Sequence, residues 1–334
     1  LFVDQFAKAT PDFKHYFFID GGALGVENAL KAAFDWKYQR MSSPQEMDVI
    51  HFQQAFHGRT GYTLSLTNNG GPDCDNAKTK WFPKFNWTRV MNPYIGKSIN
   101  GWDIETLEES SAIQMKHALE KGNVAAIIIE PIQGEGGDNH FRKEFFVKLR
   151  QLADQYDAML IFDEVQTGVG LTGKMWCYEH FGVIPDMMCF GKKTQVCGFC
   201  ATDRIDNVPD NVFAVSGRIN STWGGNIVDM VRSRIILQAV QDLHLVERAQ
   251  QVGDYFKSKL RTLPSDDVTN VRGRGLMLAF DLPSTERRDE LVNKLHDNML
   301  VLKSGSKSIR FRPTLTFSNQ DVDQAIDFLK IALS

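Results

Sequence analysis

The chain has 334 residues, a formal net charge of −3 and 43% hydrophobic residues. That length supports a large core and a second, smaller unit, and the near balance of charge gives no electrostatic footprint for nucleic acid or an anionic membrane surface. No apolar run is long enough to cross a bilayer, and the opening LFVDQFAKATPDFKHYFF lacks the basic and then apolar regions of a secretory signal.

The first predicted element is FFIDGGALGVENALKAAFDWK, Phe17 to Lys37, which reads as strand, glycine turn and helix. Gly21, Gly22 and Gly25 permit close backbone approach, and the helix that follows opens with free N–H groups and the positive end of its dipole. The segment is either a phosphate cradle or an ordinary glycine turn. No Gly-Lys-Ser/Thr follows, so it is not a P-loop, and it is not G-x-G-x-x-G, so a nicotinamide dinucleotide site is poorly supported. Asn68 to Phe82 reads as a long surface loop to which no function is assigned.

VAAIIIE, Val124 to Glu130, is a short apolar run of the kind found in a strand buried on both faces. Arg142 to Tyr156 reads as a helix with Phe146, Leu149, Leu152, Ala153 and Tyr156 on one side. MLIFDE, Met159 to Glu164, and MMCFG, Met187 to Gly191, are further buried strands. Strands and helices alternate, which predicts an α/β fold with a mostly parallel sheet and helices on both faces.

From about Asn226 the texture changes. A single amphipathic helix is predicted from Val228 to Leu260, then a strand over Gly275 to Leu282, a helix over Thr285 to Asn298 and a strand over Ser308 to Pro313. Ser318 is an expected N-cap for a last helix with Val322, Ala325, Ile326 and Leu329 on one face. These elements form a smaller α+β domain, residues 229–334, after a larger domain over residues 1–228.

Five cysteines, Cys74, Cys177, Cys189, Cys197 and Cys200, are too sparse and odd in number for a disulfide framework, which points to a reducing, cytoplasmic setting. Cys197 and Cys200 form a C-x-x-C without a second pair at zinc spacing, so buried apolar cysteines are expected there and no metal.

In an open α/β sheet, ligands sit beyond the carboxyl ends of the strands. Three predicted strand ends carry polar groups: Glu130 to Glu135, Asp163 to Gln166, and Gly191-Lys192-Lys193. An acidic pair at a strand end is alone more often a solvated turn, and paired lysines are more often solvated. Together with a phosphate cradle, a strand-end carboxylate and a strand-end lysine suit pyridoxal 5′-phosphate. The lysine amine would bond the aldehyde, and the carboxylate would keep the pyridine nitrogen protonated.

The motifs FIDGGALGVENALKAAFDWK, AFHGRTGYTLSLTN, IIIEPIQGEGGDN, IFDEVQTGVGLTGKMW, FGKKTQVCG, INSTWGGN, RGRGLM and RFRPTLTFS run in this order along the chain. In them the chain resembles the class III, fold-type-I aminotransferases, which carry pyridoxal 5′-phosphate. The resemblance implies that Lys192 is the Schiff-base lysine, with Lys193 the alternative. It implies that Asp163 lies beneath the pyridine nitrogen, that Gln166 bonds the phenolic oxygen, and that Gly22 and Ala23 cradle the phosphate. Phe56 would stack on the ring with His57 beside it, Glu130 would support the residues around the cofactor, and Thr222 would reach the phosphate of a neighbouring subunit in a homodimer.

For substrate, the resemblance implies that Arg59 takes the donor's α-carboxylate and Arg310 that of 2-oxoglutarate, with Arg312 the rival, and that Asn220 touches substrate. Glu135 would mask Arg310 when a terminal amine enters and release it for the keto acid. FGKKTQVCG and INSTWGGN point to the family members that use L-lysine and 2-oxoglutarate rather than ornithine, acetylornithine or 4-aminobutyrate. The family also carries a segment ahead of the position of Leu1, so a longer parent chain is expected.

Overall fold

A computed structural model describes residues 1–43, 45–69, 78–264 and 266–334. In chain order the elements are α1 (Phe2–Ala9), β1 (His15–Ile19), α2 (Gly22–Arg40), β2 (Asp48–Phe52), α3 (Thr63–Leu66), β3 (Arg89–Val90), α4 (Ile104–Leu119), β4 (Val124–Ile129), β5 (Ile132–Gln133), β6 (Asn139–His140) and α5 (Lys143–Gln155). There follow β7 (Met159–Asp163), β8 (Met187–Phe190), β9 (Cys197–Ala201), α6 (Ile227–Asp242), α7 (Leu245–Leu260), β10 (Thr269–Arg274), β11 (Met277–Asp281), α8 (Thr285–Leu295), β12 (Leu302–Ser304), β13 (Ser308–Phe311) and α9 (Asn319–Leu333).

The apolar runs of β4, β7 and β8 are the centre of a seven-stranded sheet ordered β1-β9-β8-β7-β4-β2-β3. Side chains alternate across a strand, so each run feeds two cores at once. Ile127, Ile129, Leu160, Phe162, Met188 and Phe190 pack with Phe145, Phe146 and Leu149 of α5 and Met115 of α4. Ala126, Ile128, Met159, Ile161, Met187 and Cys189 pack on the other face with Val26, Ala29, Leu30 and Trp36 of α2. This double burial is why the strands read as continuous rather than alternating hydrophobic segments. All strands of this sheet are parallel except β9, which pairs antiparallel with both β1 and β8.

Two glycines let α2 and β1 both come close to β9. A Cβ on Gly25 would lie 2.7 Å from the carbonyl oxygen of Gly198, and one on Gly198 would lie 1.9 Å from that of Phe17. Gly25 therefore serves helix-to-strand packing. Cys197 and Cys200 lie within β9, where residues three apart point to opposite faces, so one zinc ion could not take both. The described cysteines are free and buried; Cys74 lies outside the described residues.

The predicted helix over Val228 to Leu260 is two helices. The chain breaks at His244, whose backbone is left-handed (φ 50°), and α7 restarts at Leu245. Histidine tolerates that conformation better than most residues, and no glycine or proline marks the break, so periodicity ran through it. The Thr285 helix ends at Leu295, short of the expected Asn298. The last helix has the expected Ser318 cap, reinforced by Asp321 into a capping box. The second sheet, β10-β11-β13-β12, is wholly antiparallel, and β13 carries Arg310 towards the first sheet.

Candidate active site

Parallel strands end on the same side of a sheet, and the polar residues follow those ends. β1 leads into Gly21, β2 leads towards Phe56 and His57, β4 is followed by Glu130, β7 ends at Asp163, and β8 leads through Gly191 to Lys192. They converge on a cavity of about 900 Å³ lined by Gly21, Gly22, Ala23, Phe56, His57, Arg59, Glu130, Asp163, Gln166 and Lys192. Glu135 and Arg310 stand beside it, joined to it through Lys78 and Gln166.

Asp163 is one of two buried acids of this cavity, with Glu130. Its Oδ1 accepts from the Val165 N–H at 3.1 Å, and its Oδ2 lies 2.8 Å from His57 Nδ1. His57 is thus a partner of the carboxylate, and its Nε2 is buried without a partner among the described residues. Behind them, Glu130 accepts from the N–H groups of Phe56 (2.9 Å) and Gly134 (3.2 Å), tying the ends of β2 and β4 together. Burial pushes the Glu130 carboxyl up to about 7, and the nearby Asp163 adds to this while His57 opposes it.

The paired lysines part company. Gly191 to Thr194 is a tight turn in which Lys192 adopts φ 54°, exposing its side chain to the cavity. Lys193 turns inward, and its Nζ donates to the Gln166 carbonyl at 2.7 Å. Burial, and then the Lys192 charge, lower the Lys193 pKa to about 7. Of the two, Lys192 is the one that lines the cavity, and Lys193 pins the β7 loop.

The arginines also separate. Arg310 is buried and pairs with Glu135, whose other oxygen is 3.0 Å from Lys78 Nζ. Burial works against the Glu135 charge, but Arg310 and Lys78 outweigh it and hold the carboxyl below its ordinary range. Arg312 instead pairs with the buried Asp138 and donates to Gln166 Oε1 at 3.0 and 3.2 Å. With the Gln166 carbonyl so engaged, its amide NH₂ is the group left to the cavity. Arg59 lines the cavity as an exposed cation.

Some expected residues are not brought together here. Asn220 and Thr222 are exposed and do not line this cavity. Other residues of the site were not anticipated. Lys78 and Phe82 line the cavity from the end of the loop that was assigned no function, and Lys78 lies 5.4 Å from the Phe56 ring centroid; residues 70–77 of that loop lie outside the described residues. Nothing in its local sequence marks Lys78, and Asp138, within the motif IIIEPIQGEGGDN, carries no expectation from the sequence either.

The geometry is that of a cofactor-dependent group-transfer enzyme on an α/β scaffold. Residues 1–333 match the family model Aminotransferase class-III, and the chain belongs to that family, whose members use pyridoxal 5′-phosphate. It is 49% identical to an L-lysine-epsilon aminotransferase of Mycobacterium bovis, over 99% of this chain and 76% of that protein. It is 43% identical to that of Amycolatopsis lactamdurans, over 100% of this chain and 76% of the relative. Among solved structures, a lysine aminotransferase from M. tuberculosis superposes with a TM-score of 0.94 at 48% identity, covering 99% of this chain and 78% of that one.

The residues present fit the cofactor. The start of α2 offers N–H groups that have no intrahelical partner. A Cβ on Gly22 would sit 2.8 Å from Val165 Cγ1, so only glycine lets the helix start so close to the β7 loop. A buried carboxylate and an accessible amine complete the donor set.

Proposed function

We propose that this chain moves the ε-amino group of L-lysine to 2-oxoglutarate, giving 2-aminoadipate 6-semialdehyde and glutamate in two alternating half-reactions. The observation that carries this reading is the ion pair between Glu135 and Arg310 beside the cavity. With Arg310 covered, the Glu135 end of the cavity presents a carboxylate rather than a bare arginine, and an amino acid with a terminal amine enters amine first. Arg59 then receives the α-carboxylate at the far end. When Glu135 swings away, Arg310 becomes the bidentate partner of the keto acid's carboxylate.

Gly22, Ala23, Phe56, Asp163, Gln166 and Lys192 would hold pyridoxal 5′-phosphate. When bound, it supplies a carbonyl that takes the amine and a ring that withdraws electrons. Asp163 supplies the negative charge, oriented by His57, and Glu130 fixes the backbone of Phe56. Lys192 Nζ would take the proton from the substrate's ε-carbon as general base and then, as general acid, deliver it to a second carbon two bonds away, a 1,3-proton shift. Lys193 keeps the β7 loop in register for Gln166.

The proposed homodimer gives Asn220 and Thr222 their use, at the site of the second copy. They lie next to Trp223, 88% exposed, and Ile227, 75% exposed, with Val228, Val231 and Ile235 continuing an apolar face along α6. The proposed division at residues 228 and 229 puts Arg310 in the smaller domain, so the Glu135–Arg310 pair spans both.

The test is the visible spectrum of the cofactor-loaded chain, recorded with one amino donor at a time and no keto acid. L-lysine is expected to convert the chromophore fully, and addition of 2-oxoglutarate to restore it. Conversion by ornithine or 4-aminobutyrate but not by lysine would overturn the donor assignment.

A further inference from the structure

The motif Arg272-Gly273-Arg274-Gly275 takes no part in the site above. β10 carries its arginines to the wall of a second cavity of about 520 Å³, bounded by α7 and by His140 of β6. Lys257, Arg261, Arg272 and Arg274 line it with His140 and His180, and no carboxylate among the described residues does. Arg272 is engaged, by Asp281 at 2.9 Å and the Asp138 carbonyl at 3.0 Å. Lys257 has a distant carboxylate, Asp254 at 3.8 Å. Arg274 rests 5.3 Å from the Phe181 ring centroid, and neither it nor Arg261 has a carboxylate partner among the described residues.

A second observation lies on the same wall. His140 is buried, and its Nε2 has no hydrogen-bond partner among the described residues. Burial, then Arg274 and Arg272, push its pKa well below the ordinary value. Buried polar atoms in folded proteins are nearly always paired, and like charges gathered in a concave wall repel one another. One bound anion would relieve both conditions, since arginine forks match carboxylate and phosphate oxygens alike.

We propose that this cavity binds a compact multivalent anion, a small polyphosphate or a tricarboxylate, held by Arg274, Arg261 and Lys257. The test is calorimetric titration of the cofactor-loaded full chain with pyrophosphate and, separately, with citrate at low ionic strength. The loaded cofactor blocks the phosphate cradle at Gly22. Saturable binding is expected, weakened about tenfold or more by Arg274→Met and by Arg261→Met. Arg59→Met, which removes a cation of the first cavity, should leave it unchanged. Arg274→Lys keeps the charge but not the fork and should bind more weakly than the parent and more tightly than Arg274→Met, which separates loss of charge from loss of fold. Binding of pyrophosphate alone assigns a phosphate ligand, and binding of citrate alone a carboxylate ligand; either supports the site. No saturable binding by the parent chain overturns it, as does binding lost in Arg59→Met but kept in Arg274→Met.

Discussion

His57 Nδ1 and Asp163 Oδ2 lie 2.8 Å apart with both side chains buried, and together they join the end of β2 to the end of β7. The pair puts an oriented negative charge at the cavity floor. Replacing His57 with Phe leaves a buried carboxylate oxygen without its partner, at a cost of about 1–3 kcal/mol. The expected outcome for His57→Phe is a lower denaturation midpoint and weaker cofactor retention on dialysis. A variant that keeps the parent's midpoint and cofactor would show that the contact carries no weight.

Glu135→Ala uncovers Arg310 permanently. The expected result is selective. kcat/KM for L-lysine falls about ten- to a hundredfold, equivalent to about 1.4–2.8 kcal/mol, while the half-reaction with glutamate is kept or improved. Single-turnover kinetics with each donor would read the split. Equal losses for both donors would sink the gate.

The two lysines should respond differently. Lys192→Ala is expected to lower turnover by about 10²–10⁴-fold or more through loss of its acid–base role. Lys193→Met removes a buried amine whose folded pKa is lowered to about 7 by burial and by Lys192. A lysine with a depressed folded pKa binds fewer protons folded than unfolded between about 7 and its ordinary value near 10.5. Its contribution to stability is therefore full above that upper value and is lost as pH falls to about 7. Urea denaturation should show Lys193→Met comparing best with the parent below pH 7 and losing ground towards pH 10. A difference that is flat with pH would refute the assignment.

Gly25→Ala places a methyl group 2.7 Å from the Gly198 carbonyl oxygen, where only backbone can yield. Overpacking of this kind costs about 1–3 kcal/mol. Chemical denaturation would show a lower midpoint with an unchanged slope; a midpoint equal to the parent's would mean that α2 shifts freely on β9.

The apolar face of α6 is the proposed contact with a second copy. Val231→Glu with Ile235→Glu should convert a dimer to a monomer in light-scattering chromatography, with activity lost because Asn220 and Thr222 no longer reach a neighbour. A monomeric parent, or a double variant that remains dimeric, would remove α6 from the interface.

The central strands, the helix over Lys143–Gln155 and the Ser318 cap were legible in the sequence because each is specified locally. A strand buried on both faces needs a run of apolar residues whatever lies around it, and a cap needs one hydroxyl at one position. The polar strand ends were legible for the same reason, since Asp163 and Lys192 follow hydrophobic runs directly. Tertiary structure decided what those residues face. Lys192 and Lys193 are alike in sequence, and only the left-handed turn at Lys192 sends one to the cavity and buries the other. Arg310 and Arg312 sit two residues apart, but Arg312 lies past the end of β13 at Phe311, where Asp138 from another part of the chain claims it. Gly25 resembles its neighbours Gly21 and Gly22 until β9 packs against it. Side-chain partners distant in sequence are set by strand order and register, and these depend on how every element buries its apolar face at once, which no local pattern records.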